Sequence, residues 1–171
     1  MPGRIIRIGG DGKWIRLAGK AVFVMKVSTR VEYGMLALAD IALHTEDGSS
    51  VSAPDIAERQ NISHKYLEQI LTHLKQAGLI RAQKGLRGGY ALSRPAEKIK
   101  LSEVLNALDN SILEKMDHGG KSDGSLRGAI NACLWEKLNW LMNEFAENKT
   151  LAEFVQECRN QTCDEWDMYS I

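Results

Sequence analysis

The stretch Ile62-Ser63-His64-Lys65-Tyr66-Leu67-Glu68-Gln69-Ile70-Leu71, followed by Gly85-Leu86-Arg87-Gly88-Gly89-Tyr90, decides how this chain folds. Its first part reads as a helix from Ser63 to Ala77, opened by a Ser63 cap and stopped at Gly78. Leu67, Ile70, Leu71 and Leu74 fall on one buried stripe, leaving His64, Lys65, Glu68, Gln69 and Thr72 outward. Leu79-Ile80-Arg81-Ala82-Gln83 and Tyr90-Ala91-Leu92-Ser93 then alternate as short strands around a glycine-rich tip carrying Lys84 and Arg87. The tip is not a nucleotide loop, because it lacks GxxxxGK[ST] and joins strand to strand. A helix with a hydrogen-bonding front and a basic hairpin beside it are what a winged helix-turn-helix uses to read DNA.

Working upstream, Val31, Met35, Leu38, Ala39, Ala42 and Leu43 recur at helical spacing and predict a first helix over Thr29 to His44. Glu46-Asp47-Gly48-Ser49-Ser50 ends it as a turn. Ser52-Ala53-Pro54-Asp55 opens a second helix, with Ser52 as cap and Pro54 in the first turn. That helix ends near Gln60-Asn61, so a short helix and a tight turn precede the third helix. On the third helix, Gln suits adenine, Glu suits the cytosine amine, and Lys suits guanine or phosphate.

Charge divides the chain. Of 171 residues, 44% are apolar, which is enough for a core, and the net charge is zero. Residues 1–24 carry five Lys/Arg against one Asp, residues 25–100 eleven against eight acids, and residues 101–171 six against thirteen. A basic front half can face phosphates while an acidic back half is repelled by them. Basic residues interrupt every apolar run near the N-terminus, and no stretch approaches the roughly 18 apolar residues of a membrane span. Three cysteines, an odd number, suit a reducing compartment, so a cytoplasmic protein is expected. Residues 1–24 are glycine-rich and without helical period. They read either as a disordered extension preceding a natural start at Met25 or as a basic arm on DNA.

The back half predicts helices that pair two copies. Leu101 to Leu113 reads as one helix, and Asp117 to Gly124 as a polar loop. Ser125 to Asn148 then reads as a single helix of about 35 Å. Leu126, Ile130, Leu134, Leu138, Leu141 and Phe145 form a stripe on it with too little chain to cover it, which predicts a homodimer seam. Thr150-Leu151-Ala152-Glu153 is a capping box for a last short helix.

Met25 to Arg30 with Tyr33-Gly34, Tyr66 to Leu71, Leu74-Lys75, Ala77 to Ile80, Lys84-Gly85 and Gly88 to Leu92 resemble the Rrf-two (Rrf2) family of bacterial regulators. The resemblance covers about Met25 to Phe154. It implies a homodimeric winged-helix transcription factor on a partly palindromic operator. By matched position, Lys65, Tyr66, Glu68 and Gln69 belong to the reading helix, Lys84 and Gly85 to the wing, and Ser28 and Arg30 lie near backbone phosphate. Cluster-binding members hold iron and sulfur through three cysteines and a further ligand, in the loop before the long helix and at its start. This chain has one cysteine between Asn106 and Leu134. When Leu134-Trp135 is matched to the family's pair, Cys133 falls off the ligand positions, and Ala129 and Ala132 replace a cysteine and a histidine. Cys133 is therefore expected to be a small core or seam residue. An iron–sulfur cluster or a thiol switch using Cys158 and Cys163, with Cys133, His118 or Glu32, stays as the alternative.

The fold expected is mainly α: a winged helix-turn-helix over 25–100, dimerisation helices over 101–156 and an acidic, cysteine-containing tail over 157–171. The function expected is a sequence-specific transcription regulator, a repressor, with no cofactor. Ser28, Arg30, Ser63, His64, Lys65, Tyr66, Glu68, Gln69, Thr72, Lys84, Gly85 and Arg87 would contact DNA. The sequence offers no HExxH, GxSxG or convincing Cys–His pair, which argues against an enzyme. A dimeric protein-interaction module of the same fold is the rival reading.

Overall fold

The computed structural model describes residues 14–17, 20–23, 27–45, 48–85, 88–113 and 125–167. Helices α1 (Thr29–His44), α2 (Ala53–Gln60) and α3 (His64–Gln76) form the expected trihelical unit. Ser52 Oγ accepts from the Asp55 amide at 3.3 Å and starts α2. Asn61 ends it in the left-handed region (φ 52°), which asparagine tolerates at modest cost. Gly78 (φ 71°) turns the chain out of α3 into the wing. Ser63 stands at the α3 cap, but its side chain makes no capping bond there.

The wing is the antiparallel pair β3 (Ile80–Gln83) and β4 (Gly89–Leu92), with Ala82 opposite Tyr90. A third backbone segment pins it. The Val51 amide donates to Tyr90 O at 2.9 Å and the Tyr90 amide to Val51 O at 2.8 Å. A side chain at Gly89 would collide with the Val51 backbone, so glycine permits this close approach. The wing is thereby fixed to the segment before α2 as well as to the end of α3.

Leu38, Ile41, Ile56, Leu67, Ile70, Leu71, Leu74 and Leu79 fill the core, joined by Val104 and Leu108 of α4 (Leu101–Leu108). Leu151 and Val155 of α7 (Leu151–Asp167) also enter it. The Leu101 amide donates to Lys149 O at 2.9 Å and the Leu151 amide to Ile99 O at 2.8 Å, which ties the start of α7 back to α4.

Four expectations change. The helix beginning at Leu101 stops at Leu108, because Asp109 is extended (φ −160°) and Asn110–Ile112 form a short 3-10 turn. The long helix carries a π-turn, Asn131–Trp135, between α5 (Leu126–Ile130) and α6 (Glu136–Asn148). Its stripe explains why. Three successive four-residue steps, Leu126 to Leu138, overshoot an α-helical face by about 40° each, and a wider turn takes up part of the drift. The last helix is not short. Its capping box forms, with Thr150 N–H donating to Glu153 Oε2 at 2.8 Å, and no Gly or Pro interrupts the chain before Asp167. Cys158 and most of the supposed tail therefore belong to α7. Finally, where irregular chain is expected, β1 (Trp14–Leu17) and β2 (Lys20–Phe23) pair antiparallel, Trp14 opposite Phe23.

Candidate nucleic-acid interface

The exposed front of α3 is built as its spacing implies. His64, Lys65, Glu68, Gln69 and Thr72 are exposed, whereas Leu67, Ile70, Leu71 and Leu74 are buried beneath them. His64 Nδ1 lies 3.7 Å from Glu68 Oε1, a loose pair between two half-exposed side chains. Thr72 Oγ1 donates to the Glu68 carbonyl at 2.8 Å and is turned back on its own helix. Tyr66 has a packing role as well as a place in the cleft beside Gln69. It is half-buried, and its ring meets Tyr33 of α1 edge-on, centroids 5.9 Å apart, so it props α3 against α1.

Two further parts flank this face. Ser28 and Arg30, both exposed, line a cleft with Gln69 and His73 of α3, so the start of α1 and the reading helix present one surface. At the wing, Lys84 is exposed and Gly85 adopts φ 125°, a conformation that requires glycine. The Gly88 amide closes the tip on Gly85 O at 2.9 Å. Arg87 lies outside the described residues.

The orientation of the unit rests on a residue that the apolar periodicity passes over. Asp40 is 1% exposed in the middle of α1. It accepts from Arg59 Nε at 3.0 Å, Arg59 Nη2 at 2.6 Å and Gln60 Nε2 at 2.7 Å, so α1 grips the end of α2. The hydrogen bond to Asp40, ahead of the charges of Asp40, Asp55 and Glu58, holds the Arg59 guanidinium above its ordinary value. The sequence signal was available: an acidic residue between Ala37 and Ile41 on the buried face, with arginine at the end of the next helix.

The α5–α6 stripe is uncovered in the single chain. Leu126 (79%), Ile130, Leu134, Leu138 (42%), Leu141 and Phe145 are all exposed, and Trp140 is exposed on another face of α6. Cys133 is exposed in the single chain, outside the core, which leaves the seam as its expected place. Cys158 is exposed on α7, and partial burial, reinforced by Glu157, pushes its thiol up. His118 and the Cys163 side chain lie outside the described residues, and Glu32 is half-buried on α1. Among the described residues no three His, Cys, Asp or Glu side chains come together as a metal site. The donors described do not fit an iron–sulfur cluster.

Comparison with known proteins decides the family. The model of Rrf2, described as iron-dependent transcriptional regulator, matches residues 27–157. The chain belongs to the Rrf2 family. Within Rrf2 it is 36% identical over 137 residues to the HTH-type transcriptional regulator IscR of Cereibacter sphaeroides, covering 77% of this chain and 88% of that one. It is 37% identical over 135 residues to IscR of Photobacterium profundum, covering 78% and 77%. The solved structure of T. potens IscR superposes with a TM-score of 0.64 at 34% identity, covering 78% of this chain and 88% of that one. Staphylococcus aureus CymR in its oxidized form gives 0.60 at 30%, covering 77% and 96%. As an Rrf2 member the chain is a DNA-binding transcription regulator with a winged-helix fold, and not an enzyme. No helix among the described residues is long and apolar enough to cross a membrane.

Proposed function

We propose that this Rrf2 protein is a homodimeric repressor that reads a partly palindromic operator through paired α3 faces. Lys65, Glu68 and Gln69 supply base contacts, while Ser28, Arg30, Ser63, His64, Lys84 and Arg87 engage phosphate. The observation that carries this reading is the shared surface of the α1 start and the α3 front, with the pinned wing beside it. The uncovered α5–α6 stripe is the seam that spaces two such surfaces for successive major grooves. The protein works without a resident cluster, a reading supported by the described candidate donors Glu32, Cys133 and Cys158 standing on three separate helical segments. Anaerobically purified protein is accordingly expected to be colourless, with iron and acid-labile sulfide far below one per chain.

Selection from a random duplex library tests the DNA reading. The winning sites are expected to be two-fold symmetric, with affinity falling linearly on a logarithmic salt scale. Failure to enrich any site, together with salt-independent binding, would leave the interaction-module reading in its place.

A further inference from the structure

Beyond reading DNA, the cleft holds a charge of the wrong sign for it. Ser28 is the N-cap of α1, yet its hydroxyl does not cap that helix. It donates instead to Asp109 Oδ2 at 3.3 Å, across 81 positions of chain. Asp109 Oδ1 is held by Ser111, from the amide at 3.1 Å and the hydroxyl at 2.6 Å. The carboxylate therefore lines the same cleft as Arg30, Gln69 and His73, beside the positive end of the α1 dipole. Such a position attracts an anion, and a DNA phosphate is the anion that the proposed docking brings there.

We propose that Asp109 is an intramolecular occupant of a phosphate site, which holds Ser28 and Arg30 in check and lowers affinity for every DNA sequence alike. Asp109 acts through Ser28 and Arg30 and is a positioning residue. The charge environment agrees, since Ser111 first, with Ser28 and Arg30 contributing, holds the Asp109 carboxyl below its usual range and so keeps it ionised. Asp109 also caps the end of α4, whose Val104 and Leu108 sit in the core. A shift of α4 therefore moves the carboxylate relative to Ser28 and resets DNA affinity.

This inference rests on the proposed DNA-facing role of the cleft, and one experiment separates the two. Wild type, Asp109→Asn and Asp109→Ser are titrated by fluorescence anisotropy against a labelled random-sequence duplex and against a duplex recovered by selection, over a range of salt. Both variants lack the charge, and serine keeps a small polar side chain at the turn. Circular dichroism and light scattering check that each remains folded and dimeric. Both variants are expected to bind both duplexes about three- to tenfold more tightly at low salt. The gain should shrink as salt rises, with a steeper salt slope than wild type. A merely structural role would move the thermal midpoint and not the slope. Unchanged or weaker binding by a folded variant overturns the inference, whereas a wild type with no salt-dependent affinity for either duplex overturns the DNA-facing reading itself.

Discussion

The grip of Asp40 on α2 makes a quantitative test of how the helix-turn-helix is held. Its side chain is fully buried and accepts three charge-assisted hydrogen bonds, whereas the Arg59 side chain keeps 36% of its surface in water. Removing either partner of a buried pair costs about 3–5 kcal/mol, because the survivor is left without compensation. The survivors differ. After Asp40→Ala, Arg59 can turn outward and Gln60, half-buried, can reach water, so the loss lies near the low end, about 3 kcal/mol. After Arg59→Ala, the carboxylate keeps Gln60 and the His44 imidazole, Nδ1 3.5 Å away, but has no exposed edge, so the loss lies nearer about 4–5 kcal/mol. For a chain of this size each 1 kcal/mol shifts the melting midpoint by about 2–4 °C, so drops of about 6–12 °C and 8–20 °C are expected. Urea unfolding followed by circular dichroism gives both values. A loss below about 1 kcal/mol from either change is the behaviour of a surface pair and refutes the argument. So does a larger loss from Asp40→Ala than from Arg59→Ala, since the ranking follows from which side chain can reach water.

Leu134→Glu combined with Leu138→Glu should convert the dimer to monomer in light scattering while leaving the helical signal near wild type, because both side chains are already half-exposed in the single chain. A persistent dimer would move the seam elsewhere. Gln69→Ala should relax base preference at one operator position, at a cost of about 1–3 kcal/mol on the best site, whereas Lys84→Ala should weaken all duplexes and flatten the salt slope by about one per contact. Identical losses from both on every sequence would count against these roles. The Thr150 amide, then its hydroxyl, hold the Glu153 carboxyl below its ordinary value. A depressed carboxyl adds stability above its unfolded pKa of about 4.3, which is lost as pH falls through the folded value. Glu153→Gln should therefore destabilise at pH 7 and lose less on acidification than wild type. Parallel pH curves for the two proteins would show that the capping box does not depend on that charge.

The helix-turn-helix was legible because each of its decisions is local. Ser52 caps within three residues, Gly78 supplies its own left-handed turn, and the α3 stripe needs only helical period to be read. What escaped depends on residues far apart in sequence. Asp40 looks like a solvated charge until Arg59 is placed beside it, and the edge-on packing of Tyr66 on Tyr33 joins side chains of two different helices. The π-turn over Asn131–Trp135 holds no Gly or Pro to mark it, so composition does not announce it. The stop at Leu108 had a local cause, an Asx turn of Asp109 onto Ser111, that apolar periodicity overrode.

These long-range contacts converge on α1. Its first residues share the cleft with α3, and Tyr33 touches Tyr66. Gly34 lies against Leu108 of α4 so closely that a Cβ there has no room, and Asp40 holds α2. A helix bound on so many sides cannot yield at one contact alone, because packed interiors resist small displacements. The α4 helix touches α1 and α3 on one hand and α6, the helix proposed as the seam, on the other. Because α4 touches α3 directly and also meets α1 through Leu108 and Gly34, a shift of α4 has two ways to reach the α3 faces, one of them through α1. Gly34→Ala tests this route directly. Pushing Leu108 outward should weaken operator binding more than it weakens binding to random duplex, because half-site spacing matters only for the operator. Equal losses on both would mean that α1 supports the fold but does not relay the position of α4.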